Sequence, residues 1–219
     1  MDVTIAGGHG KVGLRLGGLL AERGDRARGL IRRPEHADEL RAAGLEPVLC
    51  DLETGADVVA AIEGSDAVVF AAGAGSGSGA DRKWTVDYAA AAKLIVAAHA
   101  ARVPRYVMVS AMGAGSPPDG DEVFAVYLRA KARADLELIG SELDWTVVRP
   151  GMLTDEPGTG RVHAAASVER GEVSRDDVAA VLAAVLDEPA TGGVVFELVG
   201  GETPITEAVK GVAAAPRGG

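Results

Sequence analysis

The run Val3-Thr4-Ile5-Ala6-Gly7-Gly8-His9-Gly10-Lys11-Val12-Gly13 decides how the rest of the chain is read. A short apolar stretch leads into spaced glycines at Gly7, Gly10 and Gly13, and an amphipathic stretch follows at once. This is the pattern of a strand, a tight turn and the first turn of a helix. The glycines let the backbone bend sharply, let a ligand approach and let helix pack closely on sheet. The unpaired N–H groups and positive dipole end of that helix form a site for an anion such as a pyrophosphate. Gly7, Gly8, His9, Gly10, Lys11, Val12 and Gly13 are the candidate residues of that cradle, although His9 reads equally well as an exposed loop histidine.

The bulk composition sets bounds around this start. A length of 219 residues suits one domain, and 47% hydrophobic residues can build a sizeable core. Aromatics are only 4%, so that core must be mostly Ala, Val and Leu. A formal charge of −10 argues against a sequence-independent nucleic-acid binder, which needs a basic footprint. The single Cys50 forms no internal disulfide and reads as a small buried hydrophobe in a reducing compartment. Asp2 and the first strand follow Met1 directly, with no secretory pattern, and no apolar stretch approaches a bilayer span. The expected location is the cytoplasm, with a small-molecule substrate and neither a membrane nor a nucleic-acid partner. His36, His99 and His163 are scattered without metal-ligand spacing, so no metal site is expected.

Strand-like and helix-like segments alternate along the chain, the signature of a parallel sheet covered on both faces. Helix is expected over 12–23, with Leu14, Gly17, Gly18 and Ala21 toward the sheet, then strands over 27–32 and 45–50. A strongly apolar strand at 67–72 is followed by a Gly, Ala and Ser loop over 73–79. That loop is either a flexible connector or a ligand-side rim at the carboxyl ends of the strands. A long helix over 84–101, a strand at 106–110, a helix over 122–139 and a strand at 145–148 come next. Residues 151–173 read as irregular, with one short strand near Val162. Ser174 caps a helix reaching about Asp187, with Asp176 and Asp177 as acids at its start. A seventh strand over 194–199 and a short helix beginning at Thr203-Pro204 complete the chain. The expected architecture is an α/β, Rossmann-type doubly wound parallel sheet of about seven strands with helices on both faces. It forms a single dinucleotide-binding domain over 1–212, with 151–212 as small substrate-side elements and 213–219 as a frayed tail.

In this fold the end of the second strand lies beside the adenosine ribose, where an acid selects NAD and a cation accommodates a 2′-phosphate. Here the strand ends Leu30-Ile31-Arg32-Arg33, with no acid in place. Arg32 and Arg33 suit charge-assisted contacts to a phosphate, or else are solvated charges pairing with Glu35 or Asp38. NADP(H) is the preferred cofactor over NAD(H).

Several pieces in order carry a family resemblance: Gly7-x-x-Gly10-x-x-Gly13, Leu30-Ile31-Arg32-Arg33-Pro34, Cys50-Asp51-Leu52 and Val107-Met108-Val109-Ser110. Tyr127-Leu128-Arg129-Ala130-Lys131, Thr146-Val147-Val148-Arg149-Pro150-Gly151 and Ser174-Arg175-Asp176-Asp177-Val178-Ala179 continue it. From residue 3 to about 209 the chain resembles the atypical branch of the short-chain dehydrogenase/reductase superfamily. Within that branch it is similar to small single-domain NAD(P)H-binding, NmrA-like or epimerase-like proteins. The resemblance implies that Asp51 and Leu52 flank the adenine, and that Ala71, Ala72 and Gly73 meet the nicotinamide-side ribose. It also implies that the loop after Pro150-Gly151 meets the carboxamide. Ala6 stands where many relatives carry Thr or Ser, and Ala-Ala-Gly-Ala over 71–74 replaces an Asn-rich signature.

The resemblance further implies a Ser, Tyr and Lys set for hydride transfer. Tyr127 and Lys131 are four residues apart on one helix face, and Ser110 ends the preceding strand. In that scheme Ser110 orients a carbonyl, Tyr127 exchanges the proton, and Lys131 lowers the tyrosine pKa and holds the nicotinamide ribose. Moving a tyrosine from about 10 to about 7 takes roughly 4 kcal/mol. A cation near 4 Å supplies a comparable amount, on the order of 4 kcal/mol. The same spacing is also a common accident on helices. Lys131 nevertheless faces away from Arg129, on the side continued by Ala134 and Leu138, and an inward lysine has a partner.

The leading expectation is an NADP(H)-dependent oxidoreductase transferring hydride to or from a small carbonyl or quinone-like substrate. Its alternatives are a non-catalytic NADP(H)-binding redox sensor and a nucleotide-sugar epimerase or dehydratase. The last has little room, because only about 70 residues follow Arg149. Substrate identity and oligomeric state stay open.

Overall fold

The computed structural model describes residues 1–75 and 77–215. The seven expected strands form its parallel core: β1 (Asp2–Ala6), β2 (Arg26–Ile31), β3 (Glu46–Leu49), β4 (Ala67–Phe70), β5 (Arg105–Val109), β6 (Asp144–Pro150) and β10 (Val194–Gly200). Their spatial order is β10-β6-β5-β4-β1-β2-β3, every neighbouring pair parallel. The order reverses between β1 and β4, and the carboxyl ends beside that reversal are where such sheets bind ligands.

The sheet has nine strands rather than about seven. β8 (Arg161–Ala165) runs antiparallel to β10, and β11 (Thr203–Pro204) runs antiparallel to β8. β8 contains Val162, where one short strand was expected, whereas β11 falls on two residues expected to open the last helix. The pairing of β8 to the edge of β10, and of β11 to β8, is a tertiary contact that local pattern does not encode. A separate two-stranded sheet joins β7 (Met152–Thr154) to β9 (Glu172–Ser174), so the segment expected to hold one short strand near Val162 contains three. β6 continues through Arg149 and Pro150, two residues beyond the strand expected at 145–148.

Strand alternation divides the core between two faces. Val3, Ile5, Val69 and Val107 pack on one side with Leu16, Leu20 and Leu182. Val68, Phe70, Tyr106 and Met108 pack on the other with Ile62, Leu94 and Leu138. Thus α1 (Lys11–Glu22) and α7 (Arg175–Asp187) cover one face, while α3 (Val58–Ile62), α5 (Ala91–Ala100) and α6 (Val123–Ile139) cover the other. The inward stripe of α1 is Val12, Gly13, Leu16, Gly17 and Leu20. It is rotated from the expected stripe because α1 also packs beside α7, where Arg15 pairs with Asp176.

The long helix begins earlier than expected, at α4 (Ala80–Arg82), and passes through a π-helical stretch (Lys83–Ala90) into α5. The wide turn buries two charged residues, Lys83 and Asp87. Such stretches concentrate at functional sites. Ser174 accepts the Asp177 N–H at 2.9 Å, the expected cap of α7. The last helix, α8 (Ile205–Ala214), takes in two residues of the stretch expected to fray, while 216–219 lie outside the described residues. Among the described residues no helix is long and apolar enough to cross a membrane.

Candidate functional site

The turn after β1 is tight. Gly10 donates its N–H to Gly7 O at 2.8 Å and then begins α1. Gly7 has φ +84°, and a Cβ there would stand 2.7 Å from Ala72 N. A Cβ on Gly13 would stand 2.3 Å from Gly7 O. Only glycine at these two places lets the turn press against the end of β4 and the start of α1 press against the turn. No side chain caps α1 and no acid occupies its first turn, so its leading N–H groups are unclaimed by capping. That cradle fits a pyrophosphate.

From the turn a groove of about 280 Å³ runs past the ends of β2 and β3, lined by Gly7, Gly10, Arg32, Asp51, Leu52 and Ala72 among others. His9 lies on its rim, stacked on His36 at 3.6 Å and bonded to Glu39 at 2.6 Å. Arg32 reaches Glu53 only at 3.4 Å, because Glu53 is already engaged by Arg82 and by the Thr85 hydroxyl, each at 2.9 Å. Arg33 is exposed and outside the groove lining. Lys11 turns away to Asp155, at 2.5 Å, and Gly8 packs under the loop, where a Cβ would stand 2.6 Å from Gly29 Cα.

Ala71, Ala72, Gly73 and Ala74 form the shared wall between this groove and a second pocket of about 530 Å³. Val12, Ser110, Tyr127 and Lys131 all line that pocket. The three expected wall residues, Ala71, Ala72 and Gly73, and the Ser, Tyr and Lys set are therefore brought together, with Ala74 added to the wall. Pro150 and Gly151 are not in its lining; their backbone is spent on Met112 and Leu198, at 2.9 and 2.8 Å. Leu153 and Arg175 take that side of the pocket instead.

The polar network here is buried and made largely of residues that motif reading had not singled out. Lys131, 3% exposed, donates to Val109 O at 3.1 Å and stands 3.4 Å from Asp87 Oδ1. Asp87, fully buried, accepts the Ala74 N–H on Oδ2 at 3.3 Å, while Oδ1 has no hydrogen-bond partner among the described residues. Ser110 donates to Asp135 Oδ2 at 2.9 Å, and Arg149 bonds the same oxygen at 3.0 Å. Burial holds the Asp135 carboxyl above its ordinary value, against the pull of Arg149 and Ser110. Lys83 reaches in from the π-helical stretch, donating to Gly75 O at 2.9 Å. Asp135 lies four residues beyond Lys131, so the same one-face rule that paired Tyr127 with Lys131 also points to it. Asp87, on the π-helical stretch, sits inside the pocket.

One expectation is overturned. Tyr127 is held well above the ordinary tyrosine pKa, first by burial and then by the carboxylates of Asp87 and Asp135. Lys131 does not reverse this, because Asp87 stands beside its ammonium. Tyr127 is a protonated phenol at neutral pH.

A family model for NAD(P)H-binding proteins matches residues 7–189. A Bacillus subtilis protein described as an uncharacterized sugar epimerase, YhfK, is 43% identical over 96% of this chain and 99% of its own. Among solved structures, a Bacillus halodurans protein provisionally assigned as an NAD-dependent epimerase/dehydratase superposes with a TM-score of 0.91. It is 38% identical over 96% of this chain and 99% of its own. The oxidoreductase ylbE from Lactococcus lactis superposes with a TM-score of 0.84 at 26% identity, covering 100% of both chains.

Proposed function

The chain belongs to the NAD(P)H-binding family, and on that premise we propose that it is an NADPH-dependent reductase of a small carbonyl or quinone-like substrate. The observation that carries the reading is the meeting of Ser110, Tyr127 and Lys131 in a pocket whose wall, Ala71 to Ala74, continues into the glycine-turn groove. The bare α1 N-terminus suits the pyrophosphate, and Asp51 and Leu52 line the adenine end. Arg32 supports NADP(H) over NAD(H), since Arg82 and Thr85 occupy its one acidic neighbour and leave the guanidinium available to a 2′-phosphate. The orphaned Asp87 Oδ1 and the remaining Lys131 donors match a ribose diol, one accepting and the other donating.

A reduced nicotinamide, when bound, supplies a hydride to the substrate carbon. Tyr127 gives its phenolic proton to the substrate oxygen as negative charge develops there. Burial and the two carboxylates keep Tyr127 in the protonated form that reduction calls on. The Ser110 proton is held by Asp135, so Ser110 presents lone pairs to the pocket and fixes the strand-end geometry. Lys131 positions rather than activates.

A binding-only redox sensor is favoured by one observation, the neutralised Lys131 beside an unactivated tyrosine. The Bacillus relatives' names suggest sugar epimerase chemistry, but here residues beyond β6 mostly complete the sheet as β8, β10, β11, α7 and α8. Absorbance-monitored NADPH consumption with aldehyde and quinone acceptors separates the readings. Turnover supports the reductase, while redox-dependent affinity without turnover supports the sensor.

A further inference from the structure

The pocket around Tyr127 contains three cationic side chains, and two of them face acids. Lys131 stands beside Asp87, and Arg175 bonds Asp155 at 2.9 Å. Lys83 is the exception. It is 8% exposed, and no carboxylate among the described residues lies within 4.0 Å of its ammonium. Its partners are the Gly75 carbonyl at 2.9 Å and the face of the Tyr127 ring, whose centroid is 5.3 Å away. Asp87, one helical turn on, is turned toward Lys131 and Ala74 instead.

An ammonium has three donors, and among the described residues this one meets one carbonyl and one ring face. Burying a charge without an opposite charge is unfavourable, and a ligand that brings one relieves it. A chain with net charge −10 has acids to spare, so the lack of one here is specific to the site. The surrounding wall is apolar: Val123, Phe124 and Leu153 join Tyr127. Val123 and Phe124 are 46% and 58% exposed, and the Phe124 ring lies 6.0 Å from the Tyr127 ring. Exposed apolar surface beside an uncompensated buried cation is the complement of a flat apolar molecule with one anionic end. With Arg175 engaged by Asp155 and Lys131 beside Asp87, the cation left for a ligand is the single Lys83 ammonium, a point charge that suits a monovalent carboxylate.

We propose that the substrate is an aromatic or quinonoid carbonyl compound bearing a carboxylate, and that Lys83 pairs with that carboxylate while Phe124 and Tyr127 hold the ring. Lys83 is thus a specificity-determining residue. The inference rests on reading this pocket as the substrate side of the dinucleotide site, and it deepens that reading.

The test measures binding, so it stands apart from turnover. NADP+-saturated protein is titrated calorimetrically with 2-naphthoate and with its neutral isostere 2-naphthamide. The carboxylate is expected to bind about tenfold more tightly, the value of one partly buried ion pair. Lys83→Met removes the preference, Lys83→Arg keeps most of it, and both variants retain NADP+ affinity as the check on folding. Equal binding of the two probes by the native chain, no binding of either, or an undiminished preference in Lys83→Met would overturn the proposal. Loss of NADP+ affinity in Lys83→Met overturns it too, by assigning Lys83 to the cofactor. A carboxylate preference without NADPH turnover would sink the reductase reading and leave Lys83 as the carboxylate-binding residue of a ligand pocket.

Discussion

The glycine-turn groove and the pocket around Tyr127 share the wall Ala71 to Ala74, yet they are made of different material. The groove is built from backbone: a left-handed glycine, a helix start without a capping side chain, and strand ends in fixed order. Its charged side chains, such as Arg32, Glu53 and Arg82, form a partly exposed network at the rim. The pocket is built from buried side chains, Lys83, Asp87, Ser110, Lys131 and Asp135, drawn from two helices and a strand end. Backbone-built recognition tolerates change in any one side chain but not a shift of the main chain. Side-chain recognition behaves the opposite way, because each buried charge depends on its neighbours.

The largest expected effect therefore falls on the groove. Gly13→Ala places a Cβ 2.3 Å from Gly7 O, with backbone on both sides and nowhere to yield. Overpacking of about 1–3 kcal/mol displaces the α1 start, and dinucleotide affinity drops roughly ten- to hundredfold. Fluorescence titration with NADPH reads it, with circular dichroism checking the fold; unchanged affinity would break the contrast between the two regions. Arg32→Ala comes next. An exposed charge–phosphate contact is worth on the order of 1 kcal/mol, so NADPH affinity falls about fivefold while NADH affinity holds. An equal loss for both cofactors would show that Arg32 supports the groove without reading the 2′-phosphate.

The smallest effect belongs to the pocket's pH response. Burial raises the Asp135 carboxyl above its unfolded value near 3.8, so across that window the folded chain keeps a proton the unfolded chain has released. Stability is then highest at the acid end and declines as the pH rises toward the folded-state value. Asp135→Asn removes that part of the slope, which urea midpoints at stepped pH detect. An unaltered slope would show that Arg149 already compensates the charge.

The same division explains what could be read from the amino acids. All seven parallel strands were legible, because strands buried on both faces are continuous apolar runs such as Ala67-Val68-Val69-Phe70. The glycine spacing located the groove for the same local reason. β8 was legible only as a short strand near Val162 and β11 not at all, since their places in the sheet come from pairing to β10 and to β8 respectively. The pocket was half legible: helix spacing found Tyr127 and Lys131 on one inward face. It did not find Lys83 or Asp87, which depend on the π-helical turn. The expected depression of the Tyr127 pKa failed for a related cause. Distance from one cation was weighed without the burial and the two carboxylates that act with it.

The most direct measurement is single-turnover NADPH oxidation with a quinone acceptor, comparing the native chain with Tyr127→Phe at matched cofactor saturation. Loss of a general acid costs about 10²–10⁴ in rate, so the variant should be at least a hundredfold slower while binding NADPH equally well. Equal rates in the two proteins would contradict the role assigned to Tyr127, and with it the reductase mechanism.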